Sequence, residues 1–145
     1  MEWWCYSHVH ASIAAGGTVA SIVDVEAKEL DTVRTWVVRH PADYAAAHYL
    51  HQLWRTVSLT PEQHSAIIGA ELQRTEADLS SLYAGYESVW MHRRRCLVEL
   101  AGDGKKRLVD AEQEFLEWIC QSHGDDRAAM ELVARHKSWL VDGLP

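Results

Sequence analysis

The length and composition of the chain predict one folded domain over residues 1–145. With 145 residues and 48% apolar residues, the chain can bury a sizeable core and is not expected to be disordered. Its formal net charge of −7 argues against a general nucleic-acid binder, because affinity for phosphates comes from Lys and Arg. No apolar run approaches the roughly 18 residues of a membrane span, so we expect a chain that is not embedded in a membrane.

The cysteines do not indicate a disulfide framework or a zinc ribbon. Cys5, Cys96 and Cys120 are odd in number, widely separated and without a CxxC pair. Structural disulfides are rare in reducing compartments, and a chain with few, scattered thiols fits such a compartment. The sequence therefore favours a cytoplasmic protein.

No stretch alternates apolar and polar residues as a strand does, so no sheet is predicted. Seven helices are predicted in chain order. Asp43 is a helix-capping residue, Pro41 stops the helix before it, and Thr60-Pro61 is a strong helix start. The predicted spans are 3–15, 25–40, 43–57, 61–83, 86–100 and 105–122, followed by a last helix after Gly124 that carries Ala129, Val133, His136 and Leu140. The apolar stripe of the 61–83 helix is expected to include Ile68, Leu72, Leu79 and Leu82. Short turns between them predict antiparallel αα-hairpins, and the expected fold class is an all-α right-handed superhelix, or solenoid, of such hairpins.

The strongest pattern in the chain is a repeat of about 42 residues. His8, Tyr49 and His92 recur at steps of 41 and 43 residues, and the pair Glu29-Leu30 returns as Glu71-Leu72 after 42 residues. A fixed period in this range is typical of arrays built from helical hairpins. The chain is accordingly expected to be a repeat array that starts within a repeat, with Trp3, Trp4 and Tyr6 partly exposed at its open end.

No complete active site is expected from the residues alone. His48 and His51 lie one helical turn apart, but no obvious third metal ligand of a suitable type lies nearby in the sequence. Cys96 follows three arginines, which could lower its pKa, although a buried and inert thiol is the favoured interpretation. Motifs for nucleophilic serine, phosphate-binding loops and dinucleotide binding are missing from the sequence.

The arginine run leaves two interpretations open. Arg93, Arg94 and Arg95 span about 200° of a helix, so at least one of them must face inward or sideways. A solvated basic face suits Arg95. For Arg93 or Arg94, a forked donor that ties adjacent hairpins through carboxylates or carbonyls is favoured over direct contact with a ligand, and His92 could act in the same way.

These residues resemble a known repeat. Trp90-x-His92-Arg93-Arg94, with Asp43-Tyr44 and His48-Tyr49 one period earlier, is similar to the repeat of protein prenyltransferase α subunits. The resemblance covers residues 2–142. It assigns partner-binding or inter-repeat roles, but no catalytic, cofactor or metal role, to Tyr44, His48, Tyr49, Trp90, His92, Arg93 and Arg94.

The chain also departs from that repeat. Ala47 stands in place of the repeat tryptophan, and Leu50 in place of the arginine that follows the histidine motif. Ala42 occupies the position from which a lysine reaches the isoprenoid diphosphate in farnesyltransferase-type α subunits. The resemblance therefore does not extend to a diphosphate-binding role for this chain.

The resemblance implies a non-catalytic α-like subunit of a cytoplasmic protein prenyltransferase. The implied partner is a β subunit of the Rab geranylgeranyltransferase type, which holds the catalytic zinc and the isoprenoid diphosphate. The implied reaction is geranylgeranyl transfer to a protein substrate with a C-terminal cysteine. The alternative is a helical-repeat scaffold for protein–protein interaction with no connection to prenylation. The period of 41 to 43 residues disfavours the tetratricopeptide kind, whose repeats step by about 34 residues.

Overall fold

The computed structural model of the chain describes the backbone of residues 19–144 and the side chains of residues 24–144. Every element in this range is an α-helix, which confirms the all-α prediction. The six helices are α1 (Val19–Arg39), α2 (Tyr44–Thr56), α3 (Pro61–Ser80), α4 (Glu87–Leu100), α5 (Lys105–His123) and α6 (Arg127–Asp142). The predicted helix over residues 3–15, the repeat position His8 and the expected exposure of Trp3, Trp4 and Tyr6 lie outside the described residues.

Two helix boundaries differ from the prediction. Helix α1 begins at Val19, six residues before the predicted start. Helix α3 ends at Ser80 rather than near Tyr83, because the amides of Ser81 and Tyr83 both turn back to the carbonyl of Asp78, at 3.2 and 3.1 Å. Leu82 was expected on the apolar stripe of α3, but it lies in this turn and is 84% exposed.

The chain divides into two compact units, Met1–Thr60 and Pro61–Pro145. In the first unit, α1 and α2 form an αα-hairpin. Asp43 caps α2 by accepting a hydrogen bond from the Ala46 amide at 2.9 Å, and its other oxygen accepts one from Trp36 Nε1 at 2.8 Å. The hydrogen bond from Trp36 and the capping contact lower the pKa of Asp43. The hairpin core contains Leu30, Val33, Val37, Leu50, Leu53 and Trp54.

In the second unit, two successive hairpins pack against each other. Helix α3 packs on α4 and α5 packs on α6, while α3 also contacts α5 and α4 also contacts α6. The first helices of the two hairpins are therefore neighbours, and so are the second helices. The shared core includes Leu79, Val89, Trp90, Leu97, Leu116, Ile119, Val133 and Leu140. None of the described helices is long and apolar enough to cross a membrane.

Candidate functional site

Each described hairpin repeats one hydrogen bond between its two helices. A glutamate on the first helix accepts from a tyrosine or histidine on the second helix, at the same place in each repeat. The pairs are Tyr49 Oη to Glu29 at 3.1 Å, His92 Nε2 to Glu71 at 2.9 Å, and His136 Nε2 to Glu112 at 2.8 Å. The glutamates step by 42 and 41 residues and their partners by 43 and 44. The sequence repeat therefore corresponds to a repeated polar contact.

Glu71 is the centre of the first buried cluster. It is 1% exposed, and its Oε2 accepts from His92 Nε2 at 2.9 Å and from Arg74 Nη2 at 2.8 Å. Burial alone would raise the pKa of Glu71, but the His92 hydrogen bond and the Arg74 charge outweigh it and lower the pKa to about 2. Glu71 is therefore a carboxylate at neutral pH, and His92 donates to it. Arg74 also forms an ion pair with Asp78 at 2.7 Å. Burial raises the pKa of Asp78 and outweighs the Arg74 charge, which acts to lower it.

Arg93 ties α4 to both neighbouring first helices. Its Nε and Nη2 donate to the two oxygens of Glu112 on α5 at 2.8 and 2.7 Å, a bidentate ion pair in which both side chains are buried. Its Nη1 donates to the Leu72 carbonyl and to Thr75 Oγ1 on α3, each at 3.1 Å. The guanidinium also lies 4.2 Å from the centre of the Phe115 ring. One buried side chain thus links two successive hairpins.

His136 extends this ion pair to the surface. Its Nδ1 accepts from Arg94 Nε at 3.2 Å, so its Nε2 carries the proton and donates to Glu112 Oε1 at 2.8 Å. Burial lowers the pKa of His136 in spite of Glu112, and the ring is neutral at neutral pH. Burial would raise the pKa of Glu112, but the hydrogen bonds from His136 and Arg93 lower it. Arg94 therefore donates to His136, His136 donates to Glu112, and Glu112 also accepts two hydrogen bonds from Arg93.

Arg94 stands at the outer end of this network. Its side chain is partly exposed, its Nη1 is 3.5 Å from Met91 Sδ, and its Cζ lies 5.7 Å from the Trp139 ring. Arg135 on α6 reaches Glu87 on α4 at 3.6 Å beside it. We call Glu87, Met91, Arg94, Arg135 and Trp139 the α4–α6 surface. Aromatic residues, Met and Arg are enriched in protein interfaces, so this composition suits a partner-binding surface.

The residues predicted as site residues fall into two groups. On α2, Tyr44 is 53% exposed, His48 is exposed with its Nε2 3.2 Å from Gln52, and Tyr49 is partly buried against Glu29. On α4, Trp90, His92 and Arg93 are buried and Arg94 is partly exposed. Trp90 is fully buried in the core, and its Nε1 donates to the Ala84 carbonyl at 2.8 Å. The structure brings the four α4 residues into one region.

Sequence reasoning did not assign three members of the network. Glu112, His136 and Arg74 look like ordinary residues of amphipathic helices when each is taken singly. The repeat register carries a signal for two of them, since Glu112 follows Glu71 by 41 residues and His136 follows His92 by 44. Arg74 has no counterpart in that register, and only its spacing of three from Glu71 indicates the contact.

Cys96 and the potential metal ligands among the described side chains give no further site. Cys96 is fully buried, and burial raises the pKa of its thiol, so it is inert in the folded chain. Within residues 24–144, no group of three or more His, Cys, Asp or Glu side chains has an arrangement that could hold a metal ion.

Comparisons with protein-family models, with curated proteins and with solved structures gave no match for this chain. The resemblance to the prenyltransferase repeat stays a prediction from the sequence motifs around Trp90 and Tyr49.

Proposed function

We propose that the chain is a non-catalytic α-like subunit of a cytoplasmic protein prenyltransferase, and that it holds a separate β subunit. The observation that carries the proposal is the repeated contact between a first-helix glutamate and a second-helix tyrosine or histidine. It recurs in three hairpins at steps of 41 to 44 residues and includes Tyr49 and His92, on which the resemblance rests. In this proposal the hairpins form a right-handed solenoid.

The buried part of the motif serves the array rather than a partner. Trp90, His92 and Arg93 are each at most 3% exposed, so their side chains are not available to another protein. The available groups are those of the α4–α6 surface in the second unit and, separately, Tyr44 and His48 in the first. Arg94 connects the two roles, since its Nε is held by His136 while its side chain reaches the surface. We assign Arg94 and Met91 to partner contact.

Zinc and isoprenoid chemistry belong to the β subunit in this proposal. The chain would supply a rigid surface that holds that subunit, and the zinc-activated cysteine of the protein substrate would react in the partner. Charge fits this division, because a partner carboxylate could pair with Arg94 in an otherwise acidic chain.

The test is reconstitution of labelled geranylgeranyl transfer to a Rab-type protein that ends in cysteine. A Rab-type β subunit is assayed alone and with the chain, and we expect transfer only in the mixture. Arg94→Glu should reduce transfer at limiting chain concentration, whereas Lys106→Glu, an equal charge change at an exposed position of α5, should not. Transfer that is equally low with and without the chain, at concentrations where the chain is folded, contradicts the proposal.

A protein-interaction scaffold without a role in prenylation is the second candidate. The α4–α6 surface favours it, because an exposed Met91 beside Arg94 and Trp139 suits many protein partners. The same reconstitution separates the candidates. A scaffold of this kind would leave the activity of the β subunit unchanged and would not form a stable complex with it.

A further inference from the structure

The outer face of the α5–α6 hairpin carries a groove of about 300 Å³. It is lined by Gln113, Glu117, Lys137, Leu140 and Val141, which we call the α5–α6 outer face. Val141 is 77% exposed and follows the buried Leu140. Lys137 and Glu117 are exposed on the two helices of the same hairpin. The face therefore combines one base, one acid and one exposed apolar side chain.

The repeat register shows what this face corresponds to. The equivalent positions one repeat earlier are 41 residues back on α5, the step from Glu71 to Glu112, and 44 residues back on α6, the step from His92 to His136. Gln113 and Glu117 therefore correspond to Leu72 and Glu76, while Lys137 and Val141 correspond to Arg93 and Leu97. Those four earlier residues all line the groove of about 480 Å³ that α5 borders with Leu108, Phe115 and Trp118. The α5–α6 outer face is thus equivalent to the face on which the α3–α4 hairpin receives its neighbour.

The α5–α6 outer face differs in chemistry from the equivalent face of the α3–α4 hairpin, and the difference indicates what kind of partner it binds. Arg93 is a buried forked donor that binds Glu112 through two hydrogen bonds. Its counterpart Lys137 is an exposed point charge, and Gln113 stands where Leu72 packs. A face of this kind suits a reversible contact with an exposed ion pair rather than a fully buried hairpin.

We propose that the α5–α6 outer face binds the same face of a second copy of the chain. A two-fold axis would place Lys137 of each copy against Glu117 of the other and bring the two Val141 side chains together. The face carries both members of the ion pair on neighbouring helices, so it is complementary to itself, as a two-fold interface requires. This proposal is independent of the proposed function, because the α4–α6 surface is formed by other residues.

The test is the oligomeric state of the full chain as a function of concentration, measured by sedimentation velocity. We expect a reversible equilibrium between monomer and dimer. Lys137→Glu and Glu117→Lys should each weaken the dimer at least tenfold, because each places like charges opposite one another. The double variant, which swaps the two charges and keeps the net charge, should restore it. Lys106→Glu serves as the charge-matched control and should leave the equilibrium unchanged. Circular dichroism checks that each variant is folded.

Several results would overturn the proposal. A chain that stays monomeric over the whole concentration range excludes the interface. A dimer that neither single variant weakens uses another surface, and single effects that the double variant does not reverse exclude the ion pair. Species that grow beyond the dimer would indicate head-to-tail stacking of hairpins instead of a two-fold contact. Val141→Glu offers an independent variant on the same face and should also abolish the dimer.

Discussion

Replacing Glu112 by alanine should destabilise the chain more than any exposed substitution on α5. Glu112 is 2% exposed and accepts three hydrogen bonds, two from Arg93 and one from His136. Its removal leaves a buried guanidinium without its counter-charge and a buried imidazole without its acceptor. Breaking a buried ion pair by removing one partner costs about 3–5 kcal/mol, so we expect a loss of that size in the free energy of unfolding.

Equilibrium unfolding in urea measures this loss from the shift of the midpoint at constant slope. Glu114→Ala is the matched control, because Glu114 is exposed on the same helix, and its effect should stay within about 0.5 kcal/mol. A double-mutant cycle with Arg93→Met tests the pair itself. Because each single substitution already breaks the ion pair, the double variant should be less destabilised than the sum of the singles by roughly 0.5–3 kcal/mol.

A loss of less than about 1 kcal/mol in Glu112→Ala would contradict this prediction, since leaving a buried charge without its partner destabilises a protein strongly. The prediction is also refuted if Arg93→Met and Glu112→Ala are strictly additive, because two residues joined by two hydrogen bonds must couple.

Three further predictions concern pH, the thiol and the helix boundary. The free energy of unfolding should decrease as the pH is lowered below about 6.5. In this range the imidazole of residue 136 takes up a proton in the unfolded chain, whereas the lowered pKa of His136 keeps it neutral in the folded chain. The free energy of unfolding should fall again below 4.5, where the unfolded chain protonates Glu71 while the folded carboxylate keeps its charge down to about pH 2. Urea unfolding across this range measures both, and the slope near pH 6 should shrink in His136→Gln; a free energy of unfolding that rises on acidification would contradict the assignment. In a chain with Cys5 and Cys120 replaced by serine, Cys96 should resist a thiol reagent while folded and react only on unfolding, as absorbance of the released product reports; fast modification under native conditions would show that it is accessible. Leu79→Ala should cost about 2–5 kcal/mol in thermal or urea unfolding, while Leu82→Ala should change stability by less than about 0.5 kcal/mol; equal effects would place Leu82 in the core after all.

The helices could be predicted because their signals are local. Apolar spacing and the capping residue Asp43 identified α2 to within one residue, and the turn at Gly124 separated α5 from α6. Leu82 was misassigned because its spacing from Leu79 continues the apolar stripe. The turn that ends α3 depends on backbone hydrogen bonds to Asp78, which the apolar pattern does not encode.

The buried network could be predicted only in part, because its contacts are long-range. Arg93 could be identified from the sequence as one of three successive arginines, but its partner Glu112 lies 19 residues away on another hairpin. A buried glutamate is rare, so composition argues against placing one in a core. Only the register of the repeat indicates Glu112. Tyr44 shows the converse, because the predicted repeat motif includes it and its side chain is nevertheless 53% exposed.

The most direct test of the central proposal is whether the chain binds a Rab-type prenyltransferase β subunit. The two purified proteins are mixed and separated by size-exclusion chromatography with light scattering, alongside the chain carrying Arg94→Glu. The proposal predicts a complex containing one chain per β subunit that Arg94→Glu weakens and Lys106→Glu does not. Two folded proteins that elute separately at every concentration would contradict it and leave the scaffold interpretation in its place.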